Sequence, residues 1–212
     1  MSRRLRVKIC GLTRVEDARL AVELGADAVG FILWPTSPRF IEPERAAAIA
    51  RALPPFVARV GVFVNSAADD VRRTADLVGL HAVQLHGDER AEEFAGVGRP
   101  VMKAVSLSGD EDVRDAVNLP PSVTVLVDAV DREKRGGTGR RADWDRAAAV
   151  ARVRPIVLAG GLSADTVEEA VARVAPWAID VSSGVEDEPG LKSAAKLRAL
   201  FDRLRSLDLR NT

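Results

Sequence analysis

Eight short β-branched runs, amphipathic Ala-rich segments between them and a length of only 212 residues predict an α/β fold. The specific expectation is a closed (β/α)8 barrel occupying residues 1–212 as a single catalytic domain, with an open doubly wound sheet as the alternative. In chain order, "VKIC" opens the first strand, Val7 to Cys10, and "RVEDARLAVELG" follows with helical spacing and a closing glycine. The second strand is Ala28 to Ile32, and its helix "EPERAAAIARAL" begins with Pro at the first turn. Val57 to Val64 and "SAADDVRRTADLVG" form the third unit. Strands then fall near Ala82 to His86, Pro100 to Val105, Thr124 to Asp128, Ile156 to Ala159 and Ala178 to Ser182, with "SADTVEEAVARV" helical between the last two. A final helix, about Leu191 to Leu204, closes the ring, and "SLDLRNT" reads as a frayed end. Ala129 to Arg141, "AVDREKRGGTGRR", has neither period and is expected to be a mobile, lid-like loop.

Composition excludes several function classes. Thirty-one basic residues balance 31 acidic ones, so the chain lacks the cationic surplus that holds nucleic acid. No stretch has the roughly 18 apolar residues of a membrane span, and "MSRRLRVKIC" lacks a signal-peptide apolar run, so a cytoplasmic protein without membrane partners is expected. One cysteine permits no internal disulfide, and two histidines cannot make a three-His zinc site.

Side chains alternate along a strand. If Val7 and Ile9 face the helices, then Lys8 and Cys10 face the barrel axis, and the same parity sends Gln84, His86, Lys103, Asp128, Asp180 and Ser182 inward. Unpaired buried charges cost several kcal/mol, so these groups must pair or work. Lys8 and Asp180 lie on strands one and eight, neighbours in a closed barrel, which predicts an ion pair below the mouth. Cys10 and Asp128 sit at C-terminal strand ends, where barrel enzymes keep their chemistry. A lone inward Cys is otherwise an inert small hydrophobe.

Strands seven and eight end in "VLAGGLS" and "DVSSGVEDEPG", each before a helix. Glycines there let backbone N–H groups approach an anion, which makes Gly160, Gly161, Ser182, Ser183 and Gly184 a candidate phosphate cradle of a phosphate-binding TIM barrel. Asp180 is grouped with these substrate-binding residues. Arg39, in the proline-bounded "WPTSPRFIEPERA", suits bidentate recognition of a carboxylate. His86 is either a hydrogen-bonded core residue or a substrate contact.

The strings "KICGLT", "SPRFI", "GVFVN", "QLHGDE", "LVDA", "GGTG", "LAGGL", "DVSSGVE" and "PGLK" occur in this order at these strand ends. With them the chain closely resembles the phosphoribosylanthranilate isomerase family of tryptophan biosynthesis, from about Val7 to Leu204. The resemblance implies an Amadori rearrangement by general acid-base catalysis, without cofactor or metal. A small phosphorylated molecule is the implied partner, the protein being a monomer or homodimer. It implies Cys10 as general base, Asp128 as general acid and Arg39 against the anthranilate carboxylate. The thiol is then expected to have its pKa lowered by a cation or helix N-terminus. Two departures touch the periphery: Ser193 where the family often has Asp, and Ala142 where it often has an aromatic residue. The competing readings are a related aminoaldose-aminoketose isomerase of histidine biosynthesis, which uses Asp on strand one, a metal-dependent pentose-phosphate epimerase, and a non-catalytic phosphate-ligand binding barrel.

Overall fold

The computed structural model describes residues 4–128 and 143–210; the loop expected over Ala129 to Arg141 lies outside them. The elements are β1 (Arg6–Ile9), α1 (Val15–Leu24), β2 (Ala28–Ile32), α2 (Pro43–Arg51), β3 (Ala58–Phe63), α3 (Ala68–Val78), β4 (Ala82–Leu85) and β5 (Val101–Ser106). They continue with α4 (Asp110–Asn118), β6 (Val123–Asp128), α5 (Trp144–Ala151), β7 (Ile156–Leu158), α6 (Val167–Val174), β8 (Ala178–Val181), β9 (Glu186–Glu188), β10 (Leu191–Lys192) and α7 (Ala194–Arg210). Strands β1 to β8 pair in parallel and in sequence order, and β1 pairs with β8. That closure overturns the open doubly wound alternative.

Four features differ from expectation for identifiable reasons. Between β4 and β5 a 3₁₀ segment, Ala91–Val97, replaces a full helix; Gly96 falls inside a stretch too short to afford its low helix propensity. The last helix starts at Ala194, because Leu191 and Lys192 are drawn into an antiparallel hairpin with Glu186–Glu188. It also runs on to Arg210, so Ser206 onward continues the helix rather than fraying from it. Helix α6 begins four residues late, since Ser163–Thr166 form a turn in which Ser163 N–H donates to Thr166 Oγ1 at 2.9 Å.

The register divides the core in two. Outward-facing Val29, Phe31, Val83, Leu85, Val125, Val127 and Ile179 pack with the helices into one large shell. Inside the barrel, Leu126, Val157, Ala159 and Ala178, with Met102 and Ala104 against them, fill the β5–β8 side. Lys103 stands opposite Leu85 and Val125, which belong to the outer shell, so it points outward rather than toward the axis. Its ammonium donates to Gly87 O at 2.7 Å and lies 3.4 Å from Glu89 Oε2. The parity of "VMKAV" allows either phase, and Met102 and Ala104 take the inward one.

Candidate active site

Lys8 and Asp180 face each other in the β1–β8 register and pair at 2.7 Å, both almost fully buried. Burial alone would pull the ammonium's pKa down, but Asp180 and Cys10 outweigh it and the net direction is up. Lys8 Nζ also donates to Gln84 Oε1 at 2.9 Å. The other end of that amide, Nε2, meets His86 Nδ1 at 2.8 Å, and His86 Nε2 lies 3.3 Å from Asp128 Oδ2. A continuous polar chain therefore crosses the barrel from Asp180 to Asp128, with Gln84 only 1% exposed at its centre.

Cys10 is one residue past the end of β1, 5% exposed. Its amide donates to Val181 O at 2.9 Å, and its carbonyl accepts from Ser182 Oγ at 3.1 Å and Lys192 Nζ at 2.5 Å. Space for the thiol comes from Gly30 on β2, where a Cβ would meet Sγ at 2.6 Å. Burial pushes the thiol's pKa above its ordinary 9.0, and Asp180 adds to the rise; Lys8 and Lys192 oppose it without prevailing. The expected lowering by a cation is thus reversed by desolvation, because both lysines already spend their charge on Asp180 and Glu186.

Arg39 follows the β2 loop, which returns to the strand end through Ile41 N–H to Ile32 O at 3.1 Å. It is 7% exposed and grips Glu186 with Nε at 3.0 Å and Nη2 at 2.7 Å. Glu186 also accepts from Lys192 Nζ at 2.6 Å and Gly190 N at 3.2 Å. Burial would raise the Glu186 pKa, but Arg39 and Lys192 more than compensate and hold it below the usual carboxylate range. The carboxylate that Arg39 meets here is internal. Its Nη1 edge makes no such contact among the described residues.

The two glycine turns meet at the mouth. Gly160 and Gly161 adopt φ of 82° and 66°, the left-handed region in which glycine is favoured. A Cβ on Gly184 would fall 1.9 Å from Leu162 O, so the turns are packed backbone to backbone. Gly184 is therefore needed for the turns to touch each other, where the sequence suggested only room for an anion. The N–H groups of Gly160, Gly161, Ser183 and Gly184 donate to no described protein acceptor. Ser182 stands apart from them, its hydroxyl turned to Cys10 O, and Asp180 lies one layer deeper in its lysine pair. A separate cavity of about 690 Å³, lined by Leu5, Leu24, Trp177 and Phe201, opens at the opposite end of the barrel, remote from these groups.

The model of the N-(5'-phosphoribosyl)anthranilate (PRA) isomerase family matches residues 7–203. The chain belongs to this family. It is similar to the N-(5'-phosphoribosyl)anthranilate isomerase of Citrifermentans bemidjiense, 51% identical over 96% of this chain and 98% of the relative. The crystal structure of phosphoribosyl anthranilate isomerase from Thermus thermophilus superposes with a TM-score of 0.88 at 46% identity, covering 96% of this chain and 100% of that one. A phosphoribosyl anthranilate isomerase in complex with reduced 1-(o-carboxyphenylamino)-1-deoxyribulose 5-phosphate has a TM-score of 0.84 at 41% identity, over 95% and 99% of the two chains.

For this isomerase-family chain, sequence reasoning missed Glu186 and Lys192, which brace Arg39 and the Cys10 carbonyl. Both stood inside quoted motifs, "DVSSGVE" and "PGLK". Their pairing depends on the β9–β10 hairpin, whose strands of three and two residues leave no periodic trace. Among the described residues no cluster of three His, Cys, Asp or Glu side chains is placed to hold a metal ion, and no helix is long and apolar enough to cross a membrane.

Proposed function

We propose that this chain converts N-(5-phosphoribosyl)anthranilate to 1-(o-carboxyphenylamino)-1-deoxyribulose 5-phosphate, the Amadori step of tryptophan biosynthesis, with Asp128 as general acid and Cys10 as general base. The observation that carries the reading is the placement of one thiol and one carboxyl at the mouth of the same barrel, on β1 and β6. In the closed order these strands are three steps apart by the shorter way, through β8 and β7. Two groups so placed reach a bound sugar from different sides.

In this mechanism Asp128 gives its proton to the furanose ring oxygen as the C1–O bond breaks, and the anthranilate nitrogen lone pair completes the C1=N double bond. The iminium acidifies the C2 hydrogen, which Cys10 removes in its thiolate form, the minority form at neutral pH given the raised pKa of the buried thiol, to leave an enolamine. Tautomerisation places a proton on C1 and a carbonyl at C2, so the reaction is an isomerisation with no net redox change. The N–H groups of Gly160, Gly161, Ser183 and Gly184 receive the phosphate. Arg39, held by Glu186 through Nε and Nη2, offers Nη1 to the anthranilate carboxylate. The strand-one Cys separates this reading from the histidine-pathway isomerase.

Substrate loss followed by fluorescence tests the proposal. Wild type should turn over with and without chelator. Cys10→Ser and Asp128→Asn should each lower kcat by roughly 10²- to 10⁴-fold, the usual worth of a positioned acid or base, with KM little changed. A Cys10→Ser enzyme keeping more than about a tenth of wild-type kcat would return the thiol to core packing.

A further inference from the structure

Between Lys8 and His86 the amide of Gln84 has only one workable orientation. Lys8 Nζ is a donor without lone pairs, and it is paired to Asp180 as an ammonium, so the Gln84 atom facing it at 2.9 Å must be the carbonyl oxygen. The amide nitrogen, a donor, then faces His86 Nδ1 at 2.8 Å, which must accept. A neutral imidazole that accepts at Nδ1 carries its hydrogen at Nε2, and Nε2 is the atom 3.3 Å from Asp128 Oδ2.

We infer that Gln84 is a positioning residue that fixes the Nε2–H tautomer of His86, so that His86 presents a donor to the proposed acid Asp128 throughout turnover. The inference rests on the assignment of Asp128 made above. When the Asp128 O–H bond breaks toward the ring oxygen, its electron pair stays on the carboxyl group. The contact with His86 N–H then becomes a charge-assisted hydrogen bond, stronger than before the transfer. An interaction that strengthens as charge develops stabilises the transition state more than the ground state. His86 keeps its own proton; it does not relay one. The Lys8–Asp180 pair thereby acts at a distance: it orients Gln84, which orients His86.

The test reads the ring itself. The chain has two histidines, His81 and His86, so 15N-histidine labelling followed by long-range 1H–15N spectra resolves both rings, and His81→Gln removes one to assign the other. Wild-type protein without substrate should show His86 protonated at Nε2 and unprotonated at Nδ1. Gln84→Glu keeps an acceptor for Lys8 but turns only acceptors to Nδ1, so His86 should become protonated at Nδ1. Its kcat should fall at least about tenfold with KM shifted less than about twofold, since a wrong tautomer spoils chemistry before binding. Gln84→Met, near in length and without a donor, should give mixed tautomers and an intermediate kcat. Nδ1–H in the wild type, or an unchanged Nε2–H tautomer in either variant whatever its activity, overturns the inference. Because the tautomer is read without substrate, that failure is distinct from failure of the proposed reaction, which the Cys10 and Asp128 variants decide.

Discussion

Glu186→Gln removes one charge and almost no volume from a place where that charge has two cations to answer. The carboxylate accepts from Arg39 through Nε at 3.0 Å and Nη2 at 2.7 Å and from Lys192 Nζ at 2.6 Å, and all three residues are under 10% exposed. The neutral amide leaves two buried cations without a counter-charge and turns an –NH2 toward one of them. Breaking one partner out of a buried pair costs about 3–5 kcal/mol, a large share of the roughly 5–15 kcal/mol that holds an ordinary domain folded. For a chain of this size that corresponds to a fall in Tm of about 6–20 °C. Urea unfolding at pH 7 measures the loss directly, and adding Lys192→Met should recover part of it by deleting one orphaned cation. The sign of the pH dependence follows from the Glu186 pKa, which is depressed in the folded protein. Its stabilisation is fully present above the unfolded value near 4.5 and disappears as pH falls through the folded value, so wild type and variant should converge in acid. A deficit below about 1 kcal/mol at pH 7, or one that persists undiminished in acid, would refute the view that Glu186 is the charged keystone of this cluster.

Arg39→Ala should act mainly through KM, raising it about ten- to a hundredfold, because its proposed partner bears the same charge in the ground and transition states; steady-state kinetics that show a collapsed kcat at constant KM would assign it to the chemistry. Cys10 is the sole thiol, so iodoacetamide labelling reports on it alone. With its pKa above 9.0, the labelling rate should still climb about tenfold per pH unit between pH 7 and 9; a plateau by pH 7 would mean that Lys8 and Lys192 prevail over burial. Gly30→Ala should displace the thiol, since the new methyl falls 2.6 Å from Sγ, and its kcat should drop roughly tenfold or more; an unaltered kcat would show that the sulfur has room to move.

Most of the barrel was legible because its strands are short β-branched runs whose neighbours have a different period. Every expected strand occurs, with ends within one or two residues of those read. Parity alone placed Lys8 against Asp180 and brought Gln84, His86 and Asp128 to one interior. It failed at Lys103, where "VMKAV" offers no polar alternation to choose a phase and the long Lys stem lets a shell-facing residue reach polar groups at a loop. It also could not show Gly30 making room for sulfur, because a missing side chain leaves no chemical signature of what it accommodates.

The pKa of Cys10 is raised for a reason that applies to any buried cluster. Counting cations near a thiol predicts a stabilised thiolate only if those cations have charge to spare. Lys8 is committed to Asp180, and Lys192 to Glu186 and to the carbonyls of Cys10 and Ser182. What reaches the sulfur is the remainder of two largely balanced pairs, set against nearly complete desolvation. A sequence reveals which charges share a barrel mouth, whereas the partner to which each is already bound depends on short elements such as the β9–β10 hairpin. The thiol's protonation state is consequently a property of that hairpin as much as of strand one, because burial lowers the pKa of Lys192 and Glu186 is the main group that holds its charge in place.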